Sequence, residues 1–253
     1  TYKYEGGGAA VLGSIQPQPL PQAADGSIPL DSVRAAIKPI DPHFARTRIL
    51  CLENTWHGRP LPLDYLADAR ALCKERGLGL HLDGARLFNA AVAQGVPVVE
   101  ITRHFDSVSV CLSKGLGAPV GSVLLGDAAL IEKARRWRKV LGGGWRQAGI
   151  LAAACIHALD HHVERLVEDH RRAADLARGL QALGLAVEST PTNLLFVQVP
   201  EARLDALRAA FAEAGILASV AGPRIRLATH LDIDDAAVGL TLQAFASALP
   251  ASD

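Results

Sequence analysis

Two short runs in this chain place reactive residue types where few structural needs call for them. His81-Leu82-Asp83-Gly84-Ala85-Arg86 closes the apolar stretch that begins at Leu78, and Ser113-Lys114-Gly115 closes the stretch Asp106–Leu112. A carboxylate at one strand end and an amine at another would suit a flat, ring-shaped electron sink. Such a ring needs an acid partner to keep its pyridine nitrogen protonated and an amine to tether its aldehyde as an imine, which is pyridoxal phosphate (PLP) chemistry. In an open parallel sheet both groups can come from the carboxyl ends of strands, the crevice side where ligands bind. Plainer readings stand beside this one: Lys114 as a strand-end lysine reaching solvent, and Asp83 as the cap of the helix that starts near Gly84-Ala85.

The elements that must hold these residues follow from periodicity. Ile49–Leu52 and Leu78–Leu82 read as strands, Leu63–Arg76 and Ala85–Ala93 as helices, and Val108–Leu112 as a third strand. This alternation predicts an α/β fold with a mostly parallel sheet and helices on both faces. Ser122–Gly126 is expected to join as an antiparallel strand after the Gly115–Pro119 turn. Gln147–Leu183 forms the longest helical tract and is read as a connector between two domains. Beyond it, Asn193–Val199 and Arg224–Ala228 read as strands, and Ala202–Ala214 and Asp234–Leu249 as helices. The expected division is a large domain over 1–146, a connecting helical region over 147–183, and a small C-terminal α+β domain over 184–253.

Composition narrows the function. With 253 residues, 49% of them hydrophobic, the chain can bury a sizeable core. Its 26 basic and 26 acidic residues balance to +0 and are mixed along the chain, leaving no footprint for nucleic acid or an acidic membrane. The longest apolar stretches, such as Gly149–Ile156, are too short to span a bilayer, so a soluble, cytoplasmic protein with a small-molecule partner is expected. Cys51, Cys73, Cys111 and Cys155 lack a CxxC spacing and sit in apolar contexts, which predicts reduced, buried thiols. His157, His161 and Glu164 fall at helical spacing but lie among equally polar neighbours, so no catalytic metal is expected.

Beyond the two motifs, nearly the whole chain resembles the low-specificity L-threonine aldolases, fold-type I PLP enzymes of the aromatic amino acid β-eliminating lyase/threonine aldolase family. The resemblance rests on Tyr4–Ala10, Gln16–Pro19, His43–Thr47, Leu52–Thr55, Arg136–Lys139, Gly142–Gln147 and Arg226–His230, together with the Asp83 and Lys114 motifs in their order and spacing. It implies a fold-type I large domain with a small C-terminal domain and PLP as cofactor. The implied reaction is retro-aldol cleavage of L-threonine or L-allo-threonine to glycine and acetaldehyde. By the same resemblance Lys114 carries the cofactor, Asp83 holds the pyridinium proton, and Arg86 and Arg226 clamp the substrate carboxylate, a role that suits the planar guanidinium fork. It likewise implies that Arg86 also lies at the cofactor, that His43 lies near the substrate hydroxyl, and that Arg146 reaches the cofactor phosphate of a neighbouring subunit in a homo-oligomer, a dimer of dimers. Trp56 departs from the family's commoner polar residue, which puts aldehyde preference in question. The family also carries a segment ahead of the Tyr4-Glu5-Gly6 region; with Thr1 first and no methionine anywhere, the N-terminal part is expected to be missing.

Three rival readings remain at this level. The Asp and Lys pair is shared by other fold-type I activities such as β-elimination. A fragment could fold without activity of its own. A sugar- or nucleotide-binding α/β module is disfavoured by the lack of a GxGxxG or Walker pattern.

Overall fold

A computed structural model describes residues 2–249. In chain order the elements are α1 (Gly8–Gly13), α2 (Leu30–Ala36), β1 (Ile49–Glu53), α3 (Leu63–Arg76), β2 (Gly79–Gly84), α4 (Leu87–Gln94), α5 (Val98–Thr102), β3 (Ser107–Cys111), β4 (Ser122–Gly126), α6 (Ala128–Val140), α7 (Gly149–His161), α8 (Leu166–Ala182), β5 (Ala186–Ser189), β6 (Leu194–Gln198), α9 (Leu204–Glu213), β7 (Arg224–Ala228) and α10 (Asp235–Ala248). β1, β2 and β3 lie side by side and parallel, and β4 closes the sheet as an antiparallel edge. That arrangement matches the expected α/β sheet, including the sense of β4.

Among the described residues α3, α4 and α5 pack on one face of this sheet. Strand order runs steadily from β1 to β3, and right-handed crossovers in one direction put both connections on one face. Leu50, Leu52, Leu80, Leu82, Val108 and Val110 are accordingly buried under α3, α4 and α5. The alternate residues Cys51, His81, Ser107, Ser109 and Cys111 face the other side and stay exposed or half-buried. This alternation of apolar and polar residues is the sequence mark of a sheet covered on one face. It also corrects the expectation of four buried thiols: all four cysteines are free, but only Cys73 is buried, while Cys51 is exposed.

Asp106 pins the start of β3. Its Oδ2 accepts from Arg70 Nη1 of α3 and from the Leu80 amide of β2, each at 2.8 Å. The hydrogen bond from Arg70, opposed by some burial, holds the Asp106 carboxyl below the usual aspartate range. A lowered folded value means the contribution is complete above the unfolded pKa of about 3.9 and is lost as pH falls through the folded value. We expect Asp106→Asn to be less stable than wild type at pH 7, with the difference shrinking at pH 3. Denaturant midpoints at the two pH values check this; a constant difference would contradict it.

The single helical tract expected over 147–183 is two helices, α7 and α8, separated at His162–Arg165. The break has a tertiary cause: the His162 ring turns inward and its Nδ1–H donates to the Leu116 carbonyl at 2.6 Å. α8 then serves two cores. Leu166 belongs to the core under the first sheet, and Ala173, Leu176, Ala177 and Leu180 pack with β6, β7, α9 and α10 in a second core. A second, antiparallel sheet has the order β5-β6-β7. Periodicity does not mark β5, whose four residues, Ala186–Ser189, are too few to declare an alternation.

Candidate active site

Glu53, the last residue of β1, lies opposite Asp83, one residue before the end of β2. The pairing continues past the strands, because the Asn54 amide donates to the Asp83 carbonyl at 2.8 Å and the Arg86 amide to the Asn54 carbonyl at 3.2 Å. Asp83 Oδ1 accepts from the Ala85 amide at 3.1 Å, so the carboxylate closes the turn after the strand rather than capping α4. Gly84 must be small: a Cβ there would meet the Ser109 carbonyl oxygen at 2.6 Å. Gly84→Ala is expected to cost about 1–3 kcal/mol through overpacking against that backbone, read as a lower denaturation midpoint at unchanged slope.

Lys114 sits in the loop between β3 and β4. The Gly117 amide returns to the Lys114 carbonyl at 2.9 Å and the Ala118 amide to the Leu112 carbonyl at 3.0 Å. Gly115 is wedged beside Leu166 and Asn89, where an added Cβ would lie 3.0 and 3.1 Å from their side chains. With His162 holding Leu116, the loop is tied on both sides of the lysine. Lys114 and Asp83 line one cavity of about 290 Å3, together with Glu5, Ala85, Ser109, Cys111 and Ser122.

The charges around this cavity interact. Burial pushes the Arg86 guanidinium below its usual value and the charge of Arg226 adds to that, while Glu53 opposes it. Arg86 Nε is buried with no hydrogen-bond partner among the described residues, a donor that an anionic group would satisfy. Burial raises the Glu53 carboxyl, and Asp83 adds to the rise against Arg86 and Lys114. At Cys111 burial alone would raise the thiol, but hydrogen bonding with Ser113 and the charge of Lys114 outweigh it, and the net shift is downward. Glu53, Asp83, Arg86, Lys114 and Arg226 thus form one electrostatic group, although Arg226 comes from β7 of the second sheet.

Arg86, Arg226, His43 and Arg146 do not themselves line this cavity. His43 is exposed in a turn where its Nδ1 pairs with Asp41 Oδ1 at 2.7 Å, outside the cavity lining. Arg146 is exposed in the loop between α6 and α7, also outside that lining. Trp56 lies half-buried against Gly26, where a Cβ would be 2.9 Å from the Trp56 Cβ. The rings of His157 and His161 pack on one another, 4.5 Å between centroids. Among the described residues no group of three or more His, Cys, Asp or Glu could hold a metal ion, and no helix is long and apolar enough to cross a membrane.

Residues 1–202 match the Beta-eliminating lyase family. The chain belongs to this family. Among the relatives of this beta-eliminating lyase family member, the low specificity L-threonine aldolase of Escherichia coli K12 is 54% identical over 92% of this chain and 69% of its own length. Low-specificity L-threonine aldolase 1 of Arabidopsis thaliana is 42% identical over 97% of this chain and 72% of its own. A crystal structure from Listeria monocytogenes EGD-E, described as a candidate L-allo-threonine aldolase, superimposes with a TM-score of 0.79 at 22% identity, covering 98% of this chain and 72% of that one. At that identity the likeness speaks for the fold alone.

Within this family member, Glu53, Ser109 and Cys111 are site residues that the sequence reading passed over. Glu53 ends β1 opposite Asp83, the last but one residue of β2, a register that no local signal marks. Ser109 and Cys111 share the open face of β3 by simple alternation.

Proposed function

We propose that this lyase is a PLP-dependent aldolase cleaving L-threonine and L-allo-threonine to glycine and acetaldehyde, with breadth across β-hydroxy-α-amino acids. The observation that carries the reading is Asp83 and Lys114 lining one cavity with Ala85, next in the chain to Arg86, whose buried Nε has no partner among the described residues. The residues fit the cofactor: an amine, a carboxylate and an anion-seeking arginine are the donor set PLP requires. When bound, PLP supplies the electron sink for the negative charge left at Cα as the bond to Cβ breaks.

Lys114 Nζ binds the cofactor, and the Asp83 carboxylate keeps a proton on the pyridine nitrogen. Arg86 and Arg226 bind the substrate carboxylate and, by orienting it, select which bond at Cα is aligned for cleavage. The β-hydroxyl gives up its proton as the aldehyde leaves, and Cα takes one up to complete glycine. His43 is assigned to the hydroxyl; Asp41 orients its ring through Nδ1. In this reading residues 1–146 bind the cofactor, 147–183 connect, and 184–253 form a small domain that contributes Arg226. Arg146 acts across a subunit boundary of a dimer of dimers. The half- to well-exposed Trp137, Leu141, Trp145 and Ile150 around it, up to 85% accessible, support an interface there. Four unpaired thiols support a cytoplasmic setting.

The test is product analysis of the PLP-loaded chain on L-threonine. Glycine and acetaldehyde in equal amounts are expected. 2-Oxobutanoate and ammonia would establish β-elimination instead, a second reading favoured by the matched family's description, and no turnover would overturn both.

A further inference from the structure

The segment Asn54–Arg59 is bonded at each end to the structures that carry the two arginines. At its start, the Asn54 backbone joins Asp83 and Arg86 through the bonds described above. At its far end His57 and Gly58, at φ 47 and 87, make a two-residue turn closed by reciprocal Trp56 and Arg59 amide–carbonyl bonds of 3.0 and 2.8 Å. Positive φ at both central residues is the mirror-image turn that suits a tight hairpin.

This turn is seated on the second sheet. The Gly58 carbonyl accepts from Thr192 Oγ1 at 2.6 Å, and a Cβ on Gly58 would come within 2.6 Å of Thr190 Oγ1. Arg59 Nη2 donates to Glu188 Oε1 at 2.9 Å, and Arg224 Nη2 donates to Glu188 Oε2 at 3.0 Å. The Arg224 guanidinium also lies over the Phe196 ring, 3.7 Å from its centre. Glu188, Phe196 and Arg226 are register partners across β5, β6 and β7, so they form one row on one face of that sheet.

We propose that the Asn54–Arg59 segment is the strap that sets the span between Arg86 and Arg226, with Glu188 as its anchor on the second sheet. The proposal rests on the reading of these arginines as the carboxylate clamp. Two like charges repel, and a two-point clamp works only if its span is held to about half an ångström. The covalent route between Arg86 and Arg226 runs through more than a hundred residues, whereas the route through the strap is the Arg86–Asn54 backbone bond, six residues, the Arg59–Glu188 ion pair and two steps across the β5-β6-β7 ladder. Arg59 and Glu188 are therefore positioning residues, which act through the arginines without touching substrate.

Half-exposed ion pairs contribute little to global stability, so Arg59→Ala, Glu188→Ala and the double variant should remain folded. Two readouts are needed. In the PLP-loaded proteins each single change is expected to raise KM for L-threonine about fivefold with kcat within about twofold, and the double variant should be no worse than the worse single one. In the cofactor-free proteins, hydrogen exchange should quicken at the Trp56 and Arg59 amides while the β6–β7 ladder keeps its protection. Strap amides that loosen at unchanged KM would overturn the proposal, as would unchanged exchange. A PLP-loaded wild type that leaves threonine intact overturns the aldolase reading instead, and the exchange result then decides the tether alone.

Discussion

Lys114→Ala abolishes the borohydride-sensitive absorbance of the PLP-treated protein and lowers kcat/KM for L-threonine by at least about 10^4, since losing the group that bonds covalently in catalysis costs up to about 10^6 in other enzymes. The fold should survive. Lys114 is exposed at the mouth of the cavity, and its loop is held by backbone bonds at Gly117 and Ala118 and by His162, none of which uses the lysine side chain. Far-ultraviolet circular dichroism should therefore be unchanged while the spectrum and the activity are lost. A variant that kept its reducible absorbance would place the cofactor amine elsewhere and remove the main support for the proposed function.

Asp83→Asn is expected to lower kcat by about 10^2–10^3, the usual cost of losing one charged partner of a reacting group in a protected site, at a KM near wild type. The substitution is chosen because it separates two roles. Asparagine keeps an oxygen that can accept from the Ala85 amide, so the turn now closed by Asp83 Oδ1 at 3.1 Å is preserved. What is lost is the negative charge beside the cofactor position. Lys114 should still form its reducible adduct in this variant. Full kcat in Asp83→Asn would mean that Asp83 serves only to close the turn after β2, a structural role.

Much of this protein was determined by sequence alone. Asp83 and Lys114 stand at the ends of apolar runs separated by one helix-sized interval, and local rules suffice to put both at one end of a parallel sheet. α3 over Leu63–Arg76, β4 over Ser122–Gly126 and β7 over Arg224–Ala228 agree with the periodicity to the residue. These elements are set by side chains within a few positions of each other, through alternation, helical spacing and glycine stops such as Gly77 at φ 63.

Other features were decided only in three dimensions. The split between α7 and α8 depends on His162 finding the Leu116 carbonyl 46 residues away, which no local window contains. β5 forms because β6 offers it a ladder, not because Ala186–Ser189 declares a strand. Glu53 joins the site only through the register of β1 on β2. Arg226 acts on Arg86 only because β7 of the second sheet is brought beside the end of β2, 140 positions away in the chain. The physical reason is common to all four. Local propensity is written in neighbouring residues, whereas register, burial and charge coupling depend on which distant surfaces meet when the two cores close.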